Sequence, residues 1–139
     1  DLDFIIVDMP PGTGDTQLTF SQEIKMDGAI IVSTPQEVAL LDVKRGIKMF
    51  DKLGVKILGL VDNMSYFIDD NGKKYNIFGE GGVKKTAEEF NKDFLGEIPI
   101  NSDVGKQGDL GVPIVESKPD HEISKIYLKL AEKIKSIYN

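Results

Sequence analysis

A carboxylate stands at the end of a short apolar run near the start of this sequence. Residues 4–15 read FIIVDMPPGTGD, so four apolar residues lead into Asp8 and a turn rich in Pro and Gly follows. An aspartate at the carboxyl end of a buried strand can reach Mg²⁺ directly or through water. Gly12 can offer its backbone N–H to a phosphate without a Cβ in the way. The pattern predicts metal and phosphate chemistry, and an aspartate that caps a helix after a strand is the alternative for Asp8.

Three further apolar runs resemble residues 4–7 in length and composition, and each is followed by polar or turn-forming residues. Short continuous apolar runs are typical of parallel strands that are covered on both faces. Ligands bind at the carboxyl ends of such strands, so the residues that follow each run are candidates for a binding site. The runs are residues 28–33, 55–61 and 94–98, and the residues that follow them are Thr34, Asp62 with Asn63, and Pro99 with Ile100.

Stretches with helical spacing separate these strands. They cover about residues 15–25, 37–53, 82–92 and 121–138, the last with Asp120 as the expected N-cap. The alternation predicts an α/β fold, with a mostly parallel sheet and helices on both faces. Two segments do not follow this alternation of strands and helices. Residues 66–78 predict a hairpin around Asn71-Gly72, and residues 99–119 predict a long loop with at most one short helix.

Composition excludes several classes of protein. The 139 residues contain no cysteine, which removes disulfides and thiolate metal ligands from this chain. The net charge of −6 argues against a nucleic-acid surface, because phosphate binding needs clustered Lys and Arg. No apolar run approaches the roughly 18 residues that cross a bilayer, and no signal peptide is evident, so we expect a cytoplasmic protein. The chain starts at Asp1 without an initiator Met, and we expect it to be a fragment of a longer protein.

Five stretches together resemble the Mrp/ApbC family of iron–sulfur cluster carrier ATPases, a MinD/ParA-like branch of the P-loop NTPases. The resemblance covers nearly the whole chain. It implies an Mg²⁺-dependent ATPase when full length, and a homodimer that carries a [4Fe–4S] cluster to recipient apoproteins, with no nucleic acid and no membrane as partners. The stretches are IIVDMPPGTGDTQLTFSQ, STPQEVALLDVKRGIKMF, GLVDNMSYF, IFGEGG and FLGEIPI, in this order and spacing.

The resemblance also assigns roles to individual residues. Asp8 matches the Walker B aspartate, which is the expected metal contact, and residues 10–15 match the switch segment that senses the terminal phosphate. Within that segment Gly12 and Asp15 are the expected catalytic residues, and Pro11 and Gly12 are expected to contact the nucleotide.

A base pocket is implied at the ends of the next strands. Asn63 falls where MinD-like relatives place an asparagine against the adenine ring, and a side-chain amide can pair with a ring nitrogen and an exocyclic amine. Pro99 and Ile100 fall where relatives form one wall of that pocket. The residues themselves also allow simpler roles. Asn63 could be a turn residue after a strand, and Pro99 with Ile100 could serve ordinary packing.

Two departures from the family pattern bear on function. No phosphate-binding loop is present, since GEGGVKKT (79–86) has Lys84 where the spacing demands a glycine and follows a hairpin, not a buried strand. The C-x-x-C pair that many relatives carry is replaced by the polar turn IDDNGKKYN, so these ligands of the [4Fe–4S] cluster are absent here. Either cysteines in an N-terminal part outside this sequence hold the cluster, or it is bound differently, or this member of the family has lost it. We therefore expect residues 1–139 to be the C-terminal portion of a single P-loop NTPase domain, with a hairpin insertion at about 66–78 and no activity on its own.

The main alternative function is that of a MinD/ParA-like positioning ATPase, which dimerises on a membrane or DNA surface. The last predicted helix carries several lysines, as a membrane-targeting tail would. Glu122 and Glu132 share that helix, and its apolar stripe suits core packing, so we expect a docked helix. His121, the only histidine, is expected at the surface.

Overall fold

Three parallel strands form the central sheet of the computed structural model, which describes residues 2–10 and 14–138. The strand order is β1, β2, β5, with β2 in the middle. Helices cover both faces, and the predicted fold class is confirmed. In chain order the elements are α1 (Asp15–Glu23), β1 (Ala29–Ser33), α2 (Glu37–Leu53), β2 (Ile57–Asn63), β3 (Phe67–Ile68), β4 (Lys74–Tyr75), α3 (Gly82–Glu89), β5 (Phe94–Ile98), α4 (Ser102–Asp109), α5 (Ile114–Ser117) and α6 (Glu122–Tyr138).

Two apolar clusters hold the sheet between its helices. On one face α2 and α3 pack their apolar stripes against the sheet, and on the other face α6 does so, because each helix repeats apolar residues at a spacing of three or four. The first cluster contains Val43, Ile47, Ile57, Leu60, Val83 and Ala87. The second contains Val61, Leu95 and Ile98, with Ile126, Tyr127 and Leu130 against them.

Gly59 lets β2 and β5 approach each other closely. A Cβ on this residue would lie 2.6 Å from the Cγ of Leu95 and 2.8 Å from the carbonyl oxygen of Asp93, and its φ of +151° is one that residues with a side chain rarely adopt. The pairing of β2 with β5 shifts register between Leu60 and Val61. Glycine is therefore required at this point of the sheet.

The predicted strand at residues 4–7 is wrong. In the described part of the chain these residues pair with no strand, and their apolar side chains are exposed, up to 81% for Ile6. Phe4 packs its ring edge-on against Tyr138, with the centroids 6.1 Å apart. A parallel strand is stable only beside a neighbour that satisfies its N–H and C=O groups, and apolar composition does not replace that neighbour.

Two other expectations need correction. Residues 99–119 were predicted to hold at most one short helix, but they form both α4 and α5, because Asn101 caps α4 through its side chain and Pro113 precedes α5. The cap of α6 is also different. The N–H of Ile123 donates to Nδ1 of His121 at 3.1 Å, so His121 caps the helix in place of Asp120.

The predicted hairpin is confirmed as β3 and β4, with Phe67 opposite Tyr75. The helices predicted near residues 15–25, 37–53, 82–92 and 121–138 are also confirmed as α1, α2, α3 and α6. No helix within residues 2–10 and 14–138 combines the length and the apolar character that crossing a bilayer requires.

Candidate functional site

The carboxyl ends of β2 and β5 lie side by side and bring the three predicted base-pocket residues together. Asn63, the last residue of β2, is in register with Ile98, which directly precedes Pro99 and Ile100. The turn after β2 fixes this arrangement, since both the N–H and the hydroxyl of Ser65 donate to the carbonyl of Ile98. The N–H of Ile100 donates to the carbonyl of Tyr66 at 2.7 Å. The two strand ends therefore form one backbone-linked unit.

A cavity of about 330 Å³ adjoins this unit on the side of the hairpin. Pro99, which is buried, and Ile100, which is half-buried, line it together with hairpin residues. Asn63 is not among the lining residues. The full lining is Phe67, Ile68, Asp70, Pro99, Ile100, Asn101, Ser102 and Glu122.

Asp8 and Asp15, which are assigned to metal and switch roles, lie outside the sheet. Asp8 is exposed at the end of the extended segment, and Asp15 is the exposed first residue of α1. Pro11 and Gly12 lie outside the described residues. The structure thus groups Asn63 with Pro99 and Ile100, and it places Asp8 and Asp15 on either side of residues 11–13.

Gln17 was missed by the sequence reading although it lies inside the matched segment. Its side chain is 6% exposed, while its neighbours Thr16 and Leu18 are exposed. The Oε1 atom accepts the N–H of Gly14 at 3.0 Å, and Nε2 donates to the carbonyl of Pro10. A glutamine three positions after the N-cap is a recognised helix-start pattern, and that spacing could have identified Gln17.

Asp62 is among the strand-end candidates of the sequence analysis, which gives it no specific role. It lies in β2, between Ser33 of β1 and Glu97 of β5, and it is 1% exposed. Neither carboxylate oxygen has a hydrogen-bond partner among the described residues. Burial, with a smaller contribution from the negative charge of Glu97, raises the pKa of Asp62 to about 6. Its position at a strand end was visible in the sequence, but its isolation from partners depends on tertiary packing.

The hairpin that replaces the C-x-x-C pair is organised by Asp69. One carboxylate oxygen accepts the backbone N–H groups of Asn71 and Lys73, both at 2.9 Å, and the other accepts the hydroxyl of Tyr75 at 3.0 Å. These hydrogen bonds hold the pKa of Asp69 below its usual value, and the bond from the backbone of Lys73 contributes most. Asp69 therefore serves the turn, and its carboxylate is occupied by donors of the hairpin itself.

The described residues contain no group of three or more His, Cys, Asp or Glu side chains that could hold a metal ion. Mg²⁺ does not need such a site, because it usually binds one or two carboxylates together with substrate phosphates and water. The single exposed carboxylate of Asp8 fits that kind of donor set.

The sequence is similar to those of known proteins. Residues 1–135 match the family model described as "ParA: NUBPL iron-transfer P-loop NTPase". The chain is 50% identical over 135 residues to an iron–sulfur cluster carrier protein of Synechocystis, covering 96% of this chain and 38% of that protein. It is 47% identical to the iron–sulfur cluster carrier protein of Escherichia coli, with 96% and 37% covered. It is 46% identical to the mouse iron–sulfur cluster transfer protein NUBPL, with 96% and 42% covered.

Solved structures are also similar to this chain. A nucleotide-binding protein from Archaeoglobus fulgidus, in complex with ADP, is 45% identical with a TM-score of 0.66, covering 74% of this chain and 43% of that one. The cell division ATPase MinD of Pyrococcus furiosus has a TM-score of 0.74 over 97% of this chain and 52% of its own, at 24% identity, which establishes the shared fold alone. The chain spans less than half the length of the three curated relatives above. It belongs to the NUBPL iron-transfer family of ParA-type P-loop NTPases.

Proposed function

We propose that this chain forms the metal, switch and base-pocket part of the ATP site of an iron–sulfur cluster carrier. The observation that carries the proposal is the joining of Asn63 to Pro99 and Ile100 at the carboxyl edge of the sheet. This is the edge where open parallel sheets bind ligands. The curated relatives that share 46–50% identity with the chain are named as cluster carrier or transfer proteins.

Each candidate residue has a distinct role in this proposal. The amide of Asn63 pairs with the adenine ring, and Pro99 with Ile100 forms one wall of the base pocket. Asp8 holds Mg²⁺, and Pro11, Gly12 and Asp15 belong to the switch that senses the terminal phosphate. When bound, Mg²⁺ neutralises charge on the phosphates and on the transferred group. None of these residues is an obvious general base, so the switch orients the attacking water.

The phosphate cradle is supplied from outside this sequence. Backbone N–H groups and a lysine on a glycine-rich loop normally hold the β- and γ-phosphates, and the 139 residues contain no such motif. We propose that residues 1–139 are the C-terminal portion of a single P-loop NTPase domain, with the hairpin at about 66–78 as an insertion. This portion alone is proposed to be inactive as an ATPase.

The iron–sulfur cluster is the cargo that the protein delivers. With no cysteine in the chain, and with Asp69 bonded within its own turn, the thiolates that hold a [4Fe–4S] cluster come from residues beyond this sequence. The proposed assembly is a cytoplasmic homodimer that delivers the cluster to recipient iron–sulfur apoproteins. Similarity to MinD proteins, at 24% identity or less, supports the fold and not a positioning function.

Substitution of Asp8 tests the ATPase part of the proposal. In a protein that also carries the phosphate-binding loop, Asp8→Ala should lower the rate of ATP hydrolysis about a hundredfold or more, because the metal loses its protein carboxylate. Asp3→Ala is the matched control, since it removes an exposed carboxylate from the same extended segment. Equal rates for the Asp8 and Asp3 variants would exclude the Walker B role.

Cluster transfer tests the carrier part. The protein, reconstituted anaerobically with iron and sulfide, should pass its visible chromophore to an apo-ferredoxin, and ATP should change the transfer rate. Vesicles of anionic lipid and duplex DNA should leave ATP turnover unchanged. Turnover stimulated by either surface, without any cluster transfer, would favour the positioning ATPase instead.

A further inference from the structure

A groove of about 400 Å³ lies between β5 and α6. Among the described residues, none of those assigned to the metal, the switch or the base pocket lines it. Its floor is apolar and buried or half-buried, and two exposed lysines of α6 stand over it. The floor includes Leu95, Ile98, Ile126 and Leu130, and the lysines are Lys129 and Lys133. We call this surface the β5–α6 groove.

The groove runs along a strand that has a neighbour on one side only. In the described part of the chain β5 pairs with β2, and no strand lies on its other side. An edge strand presents backbone N–H and C=O groups to which an extended peptide can add. Nζ of Lys133 donates to the carbonyl of Leu95 at 2.7 Å, so α6 supplies a donor to the backbone of β5. An ammonium bonds more strongly to a carboxylate than to a neutral carbonyl, so a bound acid can take Lys133 over.

The charge of the groove is opposite to that of the chain as a whole. The 139 residues carry a net charge of −6, whereas two lysines and a single acidic residue, Glu97, line the groove. Neither Lys129 nor Lys133 forms an ion pair with a described residue. The two ammonium groups are therefore available to an acidic partner.

The two ends of the groove also differ in charge. Lys133 donates to the second residue of β5, so the lysines mark the end where this strand begins. Tyr66 lines the other end, because its carbonyl accepts the N–H of Ile100 just beyond the strand. Burial first, and then the negative charges of Glu97 and Glu122, raise the pKa of Tyr66, so acidic groups surround this end. A ligand with carboxylates at one end alone matches this distribution of charge.

We propose that the β5–α6 groove docks an extended segment of a partner protein, with apolar side chains along its length and acidic residues at one end. The segment adds to β5 as a further strand. Its apolar side chains cover the floor of the groove, and its carboxylates lie over Lys129 and Lys133. This surface is separate from the proposed ATP site, and the inference goes beyond that function.

Synthetic peptides test the docking, with fluorescence anisotropy as the measurement. The probes are labelled Glu-Thr-Val-Thr-Val-Thr-Val and its reverse, because a strand can add to β5 in either direction. At least one should bind the protein that also carries the phosphate-binding loop with a dissociation constant below about 1 mM. Lysine in place of the glutamate should weaken binding at least about fivefold. Methylation of every second backbone nitrogen should abolish binding in the register that faces β5 and have little effect in the other.

Substitutions in α6 test the same contacts from the side of the protein. Lys129→Gln combined with Lys133→Gln should weaken the glutamate peptide about fivefold, the order of two exposed ion pairs. Lys135→Gln is the matched control, since Lys135 is exposed on the same helix and does not line the groove, and it should bind within about twofold of wild type. Asp8→Ala should bind the peptide as wild type does, so a failure of the ATPase proposal would leave this result unchanged.

Three results would overturn the proposal. If neither glutamate peptide binds, or if the glutamate and lysine peptides bind equally, Lys133 only covers the strand edge. Binding that survives methylation in both registers would exclude strand addition. If no peptide binds and the double lysine variant loses affinity for vesicles of anionic lipid, this face of α6 contacts a membrane surface and not a protein segment.

Discussion

Two stretches of nearly the same sequence differ in structure in this molecule. Residues 4–7 read FIIV and are followed by Asp8, and residues 29–32 read AIIV and are followed by Ser33. The second stretch forms β1 and pairs along its length with β2. The first is exposed and pairs with no described strand. Phe4 gives the first stretch the higher intrinsic β-propensity, since the second has Ala29 at that place, so the difference comes from the neighbours that each stretch finds.

The comparison shows where stability resides. β2 is buried along almost its whole length between α2 and α3 on one face and α6 on the other. Apolar contact and ladder hydrogen bonds reinforce each other there. Residues 4–7 have neither, and the candidate metal ligand that follows them is exposed. The core therefore supports the base-pocket end of the proposed site, and it supports the metal end much less.

The largest expected effect comes from the same substitution made in the two regions. Ile57→Ala, in β2, should lower the free energy of unfolding by about 3 kcal/mol, because it removes a side chain that is only 9% exposed and leaves a cavity. Ile6→Ala, at a side chain 81% exposed, should change it by less than about 0.5 kcal/mol. Urea unfolding measures both. Similar losses would mean that residues 4–7 are packed in solution.

Asp62 provides a pH-dependent test within the core. Its pKa is raised to about 6 from an ordinary value of 3.8, so the folded protein holds a proton that the unfolded chain loses between these values. The stabilisation is therefore complete below pH 4 and is lost as the pH rises through 6. Asp62→Asn, which cannot ionise, should be more stable than wild type by up to about 3 kcal/mol above pH 7, with little difference near pH 4.

The control for this comparison is Asp70→Asn, which makes the same chemical change on the exposed hairpin turn. Thermal unfolding of the three proteins between pH 4 and pH 8 gives the result. A stability difference between Asp62→Asn and wild type that is the same at every pH would contradict a buried, unpartnered carboxylate.

Alanine substitutions at two glycines should change the stability by smaller amounts and in opposite directions. Gly59→Ala should destabilise the protein by about 1–3 kcal/mol, because the new Cβ meets Leu95 and the backbone of Asp93 at a strained φ. Gly46→Ala, inside α2 with no atom within 4 Å of the new Cβ, should stabilise it by about 0.5–1 kcal/mol. Chemical unfolding of both variants checks the opposite signs. A stabilising Gly59→Ala would mean that β2 and β5 approach less closely than the structure has them.

Local patterns predicted most of the fold. The apolar periodicity of α2 and α6, the Asn71-Gly72 turn and the runs of β1, β2 and β5 all depend on residues close in sequence, and all are confirmed. The strand expected at residues 4–7 failed because pairing depends on a partner that a local pattern cannot show. The sequence predicts at most one short helix between residues 99 and 119, and the structure has two, because their apolar content is low and their capping residues carry the signal.

The candidate site also has features that the sequence predicts and features that only the packing shows. The adjacency of Asn63 and Pro99 follows from parallel strand ends and could be predicted from the sequence. Two features depend on which atoms pack nearby in three dimensions. They are the lack of hydrogen-bond partners for the Asp62 carboxylate and the two contacts of the Gln17 amide. Residue type and spacing indicated where a ligand would bind, and only the packing identified the side chains that hold that region in place.

Titration of the 139-residue chain with Mg·ATP tests most directly whether it carries the base and metal side of the site without the phosphate cradle. The missing loop normally supplies much of the affinity for the phosphates, so binding should be weaker than about 1 mM. The same titration of the protein with its phosphate-binding loop should give a far smaller dissociation constant. A micromolar dissociation constant for the 139 residues alone would contradict this assignment of the site.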